Sequence, residues 1–211
     1  MDIMSEVDAI ERETGTGMTP DGEGRTVVLR RRYAADIADV WDALTNIERI
    51  PRWFLPVSGD LRLGGRYQFD GNAGGEILAC EPPTMLRVSW VMGEAGGFSE
   101  VEVRLSPTDG GTLFEMEHLA IVPDEMWGQF GPGAVGVGWD GALLGLGLYL
   151  HSGIGMSTEE QQAWVMSDDA RQFTTASSRA WGEAYRKSGA SAEAVEAAVA
   201  ATMGFYVPPA D

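Results

Sequence analysis

Two histidines, one cysteine and a single lysine bound the chemistry open to this 211-residue chain. His118 ends the alternating run Phe114, Met116, His118, whose parity aims all three at the covered face of a strand. There it can act as a general base, anchor a ligand, or sit hydrogen-bonded in a core. Asp140 and Tyr67 are the groups that could complete an acid–base pair with it. Asp140 lies inside a long apolar segment, where a cavity acid, an arginine's partner and a solvent-facing residue are all open; a solvent-facing residue is expected. Glu115 and Glu117 alternate with inward residues and belong in water, so they are not a catalytic pair. Cys80, between apolar residues of a strand, reads as a small core residue. One cysteine excludes an internal disulfide and a multi-thiolate site, and two histidines cannot complete a zinc site without carboxylates. No metal and no cofactor is therefore expected, and neither a G-x-S-x-G elbow nor a Walker lysine is present, Lys187 being the sole lysine.

The stretch GPGAVGVGWDGALLGLGLYL, residues 131–150, repeats the spacing G-x-G-x-x-G at Gly131/Gly133/Gly136 and at Gly136/Gly138/Gly141. A dinucleotide site needs a strand directly before those glycines and a parallel strand after the helix, and neither pattern is present. A membrane span needs about 20 predominantly apolar residues, and Asp140 interrupts a shorter run. What remains is a helix whose bulky flank carries Val135, Trp139, Ala142, Leu143, Leu146 and Leu150, with Gly138, Gly141 and Gly145 on a bare flank. Each interior glycine costs up to about 1 kcal/mol relative to alanine. Bare backbone allows close packing or leaves room for a guest, and a homodimer through that face is expected.

These elements need a scaffold. The net charge of -17 is spread along the chain, with 32 acidic residues against 15 basic ones. No basic stripe suits a phosphate backbone or an anionic membrane, so nucleic acid is excluded as a partner. The acidic start MDIMSEVDAIERETG lacks a secretory pattern, and a cytoplasmic location is expected. Residues 1–24 read as a short helix (Ile3, Val7, Ile10) and the linker TGTGMTPDGEG. From Arg25 the strand RTVVLRRRYAA leads into a helix, IADVWDALTN, capped by Asp36, and IERIPRWFLPVSG is a short helix or turn. Five further strands follow: DLRLGGRYQFDG, GGEILACEPP, TMLRVSWVMG, FSEVEVRLSPTDGG and TLFEMEHLAIV. Tight connections make the six strands antiparallel, an α+β arrangement covered by a long helix within residues 123–150. Residues 153–211 are helical, with a capping box at Ser157/Glu160, a seam of Phe173, Ala176, Ala180 and Ala184, and a last helix from Ser191 to Gly204.

Aromatic residues share inward parity: Tyr67 with Phe69, and Leu86, Val88 with Trp90. Together with Trp53, Phe54, Trp127 and Trp139 they either line an apolar pocket or fill a core. The order of VWDALTN, WF, GGRYQF, GGEI, PPTMLRVSW, GGTLFEMEH and GW resembles the Aha1-like family (activator of Hsp90 ATPase homologues) of the START-like, SRPBCC or Bet v 1-like superfamily. Val40, Trp41, Leu44, Thr45, Trp53, Phe54, Gly64, Gly65, Pro83, Leu86, Trp90, Thr112, His118, Gly138 and Trp139 match the family pattern, and the likeness covers residues 25–152. It departs in the glycine-rich final helix and in the segments outside that range. The resemblance implies a helix-grip fold, a curved sheet around a long C-terminal helix with a cavity between them. It further implies a small hydrophobic or aromatic ligand in that cavity, and the residues read above as inward-facing, Phe54, Tyr67, Phe69, Trp90, Phe114, Met116, His118 and Trp139, are the expected contacts. The alternatives are a cyclase- or hydrolase-like enzyme using His118 and a co-chaperone-like interaction protein.

Overall fold

A computed structural model describes residues 3–93 and 97–207. The chain runs α1 (Ile3–Asp8), β1 (Glu11–Thr19), β2 (Gly22–Tyr33), α2 (Ile37–Thr45), a 3-10 turn (Ile50–Arg52), β3 (Val57–Gly59), β4 (Arg66–Phe69), β5 (Gly74–Glu81), β6 (Met85–Ser89), β7 (Ser99–Thr108) and β8 (Gly111–Ala120). Five helices follow: α3 (Asp124–Phe130), α4 (Gly133–Ser152), α5 (Thr158–Val165), α6 (Asp168–Lys187) and α7 (Ala192–Tyr206). The sheet is antiparallel, in the order β1-β2-β8-β7-β6-β5-β4-β3. The curved sheet and the long helix it grips form the helix-grip fold expected from the sequence.

Eight strands replace the expected six. The segment 14–24, read as a linker, instead forms most of β1 and the start of β2, which pair from Glu11↔Arg30 to Thr19↔Gly22, and Val57–Gly59, read as part of a helix or turn, pairs with β4. The inward parity holds where it was clearest: Val101, Val103, Leu105, Phe114 and Met116 are buried, while Arg104 and Glu117 on the other face are exposed. Asp36 stands at the N-cap of α2, yet its side chain makes no cap hydrogen bond. Its carbonyl instead accepts from the backbone N–H groups of Asp39 and Val40.

The long helical segment is broken into α3 and α4 at Gly131, where φ is 54°, followed by Pro132. Helix α4 is buried on several sides, because β2 and α2 pack on it from one direction and α1, α6 and α7 from the other. Its apolar residues therefore need no single stripe. The glycines admit the neighbours: a Cβ at Gly136 would come within 2.2 Å of the Trp181 ring, and one at Gly133 within 2.5 Å of Thr202. From the sheet, Tyr33 donates its hydroxyl to the Leu143 carbonyl at 3.1 Å. Ser157 and Glu160 form the expected capping box, and Ser191 caps α7, which runs two residues beyond Gly204.

Candidate functional site

Between the sheet and α4 lies a cavity of about 350 Å³. Small-molecule sites commonly span about 300–1,000 Å³. Its inner wall is the inward parity of β6, β7 and β8, represented by Leu86, Val88, Val101, Val103, Phe114 and Met116. Helix α4 supplies Trp139, Ala142, Leu143 and Leu146, and α2 supplies Trp41 and Leu44. One end is aromatic. Phe54 packs edge-on against Phe69 at 5.0 Å between ring centroids, Phe69 lies 5.5 Å from Trp90, and Trp90 lies 4.7 Å from Trp139. Such pairs add stability beyond the area they bury and stiffen the wall.

Several polar groups on this wall are turned away from the cavity. Trp53 donates its indole N–H to the Ala43 carbonyl at 2.9 Å, Thr45 donates to the Trp41 carbonyl at 2.8 Å, and Tyr67 donates to the Ser89 carbonyl at 2.7 Å. Burial raises the Tyr67 phenol above its usual range, so it stays protonated. Cys80 is half-buried on the wall, and burial likewise raises its thiol. Among the described residues the lining holds no carboxylate, histidine, lysine or arginine.

Phe54, Tyr67, Phe69, Trp90, Phe114, Met116 and Trp139 therefore line one cavity. His118 does not join them. It lies behind Trp139, whose indole N–H donates to Nδ1 at 3.1 Å, while Nε2 lies 2.8 Å from Ser99 Oγ. An indole nitrogen can only donate, so Nδ1 is the acceptor and the neutral ring carries its proton on Nε2, toward Ser99. Burial lowers its pKa to about 4. His118 is a prop for the cavity wall and has no free nitrogen for a substrate.

Asp140 corrects the expectation of a solvent-facing residue, being 0% exposed. Both of its oxygens accept from Arg12 Nε, at 2.9 and 3.2 Å, and Ser177 and Trp181 of α6 also donate to it. Arg12 in turn donates to the carbonyls of Val7 and Ile10. Burial pushes the Asp140 carboxyl up to about 6, against the pull of Arg12 and the two α6 donors. The carboxylate joins α1, β1, α4 and α6 and takes no part in the cavity. Trp127, grouped with the pocket aromatics by sequence, lies instead against Tyr185 and under Arg25. His118, Asp140 and Tyr67 thus bind three separate sets of partners, which removes the convergence that an acid–base mechanism requires.

The glycine face expected to receive a second copy is partly occupied by the chain itself. A Cβ at Gly145 would lie 2.4 Å from the Trp53 carbonyl oxygen, and one at Gly138 would lie 3.2 Å from the Tyr206 hydroxyl. Helix α4 is the one helix among the described residues long and apolar enough to cross a membrane, and 56% of its apolar window is buried inside the fold.

An antiparallel sheet gripping a helix over an apolar cavity defines a START-like protein. The chain belongs to the family described as activator of Hsp90 ATPase homolog 1-like proteins, whose model matches residues 34–150. It is similar to CalU16 from Micromonospora echinospora at 38% identity. The CalU16 crystal structure matches 84% of this chain and 99% of that chain with a TM-score of 0.64, and its solution structure matches 86% and 97% with a TM-score of 0.71. Protein MLL2253 from Mesorhizobium loti is 27% identical over 60% of this chain and 97% of that chain, with a TM-score of 0.54. The Aha1 dimer from Colwellia psychrerythraea, 19% identical, shares the fold over 62% of this chain and 98% of that chain, with a TM-score of 0.52. No curated protein matches the chain.

Proposed function

We infer that the protein binds a small, uncharged, largely apolar or aromatic molecule between the sheet and α4, and that it does so without catalysis. The observation that carries this reading is the cavity of about 350 Å³ whose lining offers ring faces and aliphatic carbon and no charged side chain. An apolar void forgoes the packing that its volume would supply, so an occupant of matching surface stabilises the fold as it binds. The absence of lining charge favours neutral guests, because an ion would lose its hydration with nothing to replace it. The displacement of His118 and Asp140 from the wall weighs against the cyclase or hydrolase alternative.

Native mass spectrometry of protein purified from its own host tests the reading. The expected result is a small-molecule adduct that is lost on denaturation and absent from a Leu86→Trp variant, in which the larger ring occupies the cavity. A bare mass for the wild-type protein, together with no binding of N-phenyl-1-naphthylamine added as a neutral aromatic probe, would overturn it.

A further inference from the structure

The outer side of α4 borders a second chamber of about 280 Å³. Gly138, Gly141 and Gly145 are on its lining, as are Ile154, Trp164 and Val165. The glycines are not equivalent. The chain fills the space beside Gly145 with the Trp53 carbonyl, whereas a Cβ at Gly141 would meet nothing within 4 Å. At Gly141 the helix therefore presents bare backbone to open volume, a cost in helix stability that no packing contact of the chain offsets. Trp53, Phe54 and Ala142 border both chambers, so one partition separates them.

The chamber differs from the main cavity in charge. Arg52 is on its lining, exposed, with Nε donating to the Glu48 carbonyl at a long 3.4 Å. It makes no ion pair among the described residues, in a chain with 32 acidic residues. The backbone of Arg52 is held in place, because its carbonyl accepts from the Met156 N–H at 3.2 Å and a Cβ at Gly155 would come within 2.7 Å of its own Cβ. An exposed guanidinium on a residue that lines an apolar chamber suits a carboxylate or sulfonate, which it can engage through two parallel N–H donors.

We propose that this chamber is a second binding site, distinct from the main cavity, for an amphipathic monoanion. Its hydrocarbon chain lies over Gly141 beneath Trp164, and its acidic headgroup meets Arg52. The neutral guest of the main cavity and the anion of this chamber are separate ligands, and each reading can fail without the other.

Fluorescence titration with 11-(dansylamino)undecanoate reports the anion site, and N-phenyl-1-naphthylamine reports the main cavity. Gly141→Leu fills the second chamber from a position with free space, and circular dichroism and thermal melting verify that it folds. The expected result is an anion affinity weakened at least tenfold in Gly141→Leu with naphthylamine binding retained. In Arg52→Gln, competition by dodecanoate weakens about tenfold while competition by dodecan-1-ol is unchanged, as removal of one charge-assisted contact predicts. Unchanged anion affinity in Gly141→Leu overturns the site, and equal weakening of acid and alcohol in Arg52→Gln overturns its headgroup. An anion lost in Leu86→Trp but kept in Gly141→Leu would assign the tail to the main cavity and overturn the second site. Naphthylamine binding that survives Leu86→Trp would overturn the main-cavity reading alone.

Discussion

His118 sets the angle of Trp139, and through it part of the aromatic wall, because its Nδ1 is the acceptor for the indole N–H. A proton on Nδ1 would remove that acceptor, and burial holds the pKa at about 4, below its ordinary value of 6.5. Between these two values the unfolded chain binds a proton that the folded chain refuses. The stability this residue contributes is fully present above about pH 6.5 and is lost as pH falls through 4. The shift corresponds to about 3 kcal/mol. Asp140 runs the other way: its carboxyl is raised to about 6, so the folded chain takes up its proton first and gains stability as pH falls from 6 toward 4. Because the two oppose each other, the readout is a difference between variants. Glutamine can both accept from Trp139 and donate to Ser99 without titrating. The excess stability of wild type over His118→Gln, from urea unfolding, is expected to shrink by about 3 kcal/mol between pH 7 and pH 4. A pH-independent difference would show that the ring titrates as in water.

Helix α4 shows at the level of one element how identical residues serve opposite ends. A methyl group at Gly136 would meet the ring of Trp181, which is 0% exposed and cannot withdraw. Gly136→Ala is expected to destabilise by about 1–3 kcal/mol, the usual cost of overpacking a core. Gly141→Ala meets open space and is expected to stabilise by up to about 1 kcal/mol through helix propensity. Thermal melts of the two variants should therefore move in opposite directions, and shifts of the same sign would contradict the packing described. The sequence alone could not separate these glycines, because what fills each notch comes from residues 40 or more positions away. The same limit hid β1. Its residues Gly15 and Gly17 lie in a polar, glycine-rich stretch that reads as a linker, yet a Cβ at Gly17 would come within 3.0 Å of the Leu119 side chain, so the glycine leaves room for a β8 side chain that reaches across β2. The strands with alternating apolar residues, β7 and β8, were legible because burial on one face imposes a period of two. The strand-borne cavity aromatics Tyr67, Phe69 and Phe114 were legible for that reason, whereas the withdrawal of His118 was not: parity sets the face a side chain points to, and Trp139 and Ser99 decide what it meets there.

At the scale of the whole molecule, α6 and α7 contribute to the core. Trp181 is fully buried within the same hydrophobic cluster as Leu29, Phe114 and Leu146. Ser177 and Trp181 supply two of the donors that keep the Asp140 carboxylate solvated inside the protein, and α6 also packs on β1 and α1. A chain ending at Ser152 would retain all of residues 34–150 matched by the family model, and so tests whether that region is self-sufficient. Truncation leaves the Arg12–Asp140 pair short of its α6 donors and opens the Gly133 and Gly136 notches to water. Losing a buried tryptophan alone costs about 3–5 kcal/mol, and a partly unsatisfied buried carboxylate adds about 1–3 kcal/mol. A domain of this size is stable by only about 5–15 kcal/mol in total. The truncated chain is therefore expected to lose its cooperative urea transition and its near-ultraviolet circular dichroism. A sharp transition near the wild-type midpoint would instead show that the sheet and α4 stand alone, with the C-terminal helices as an outer layer.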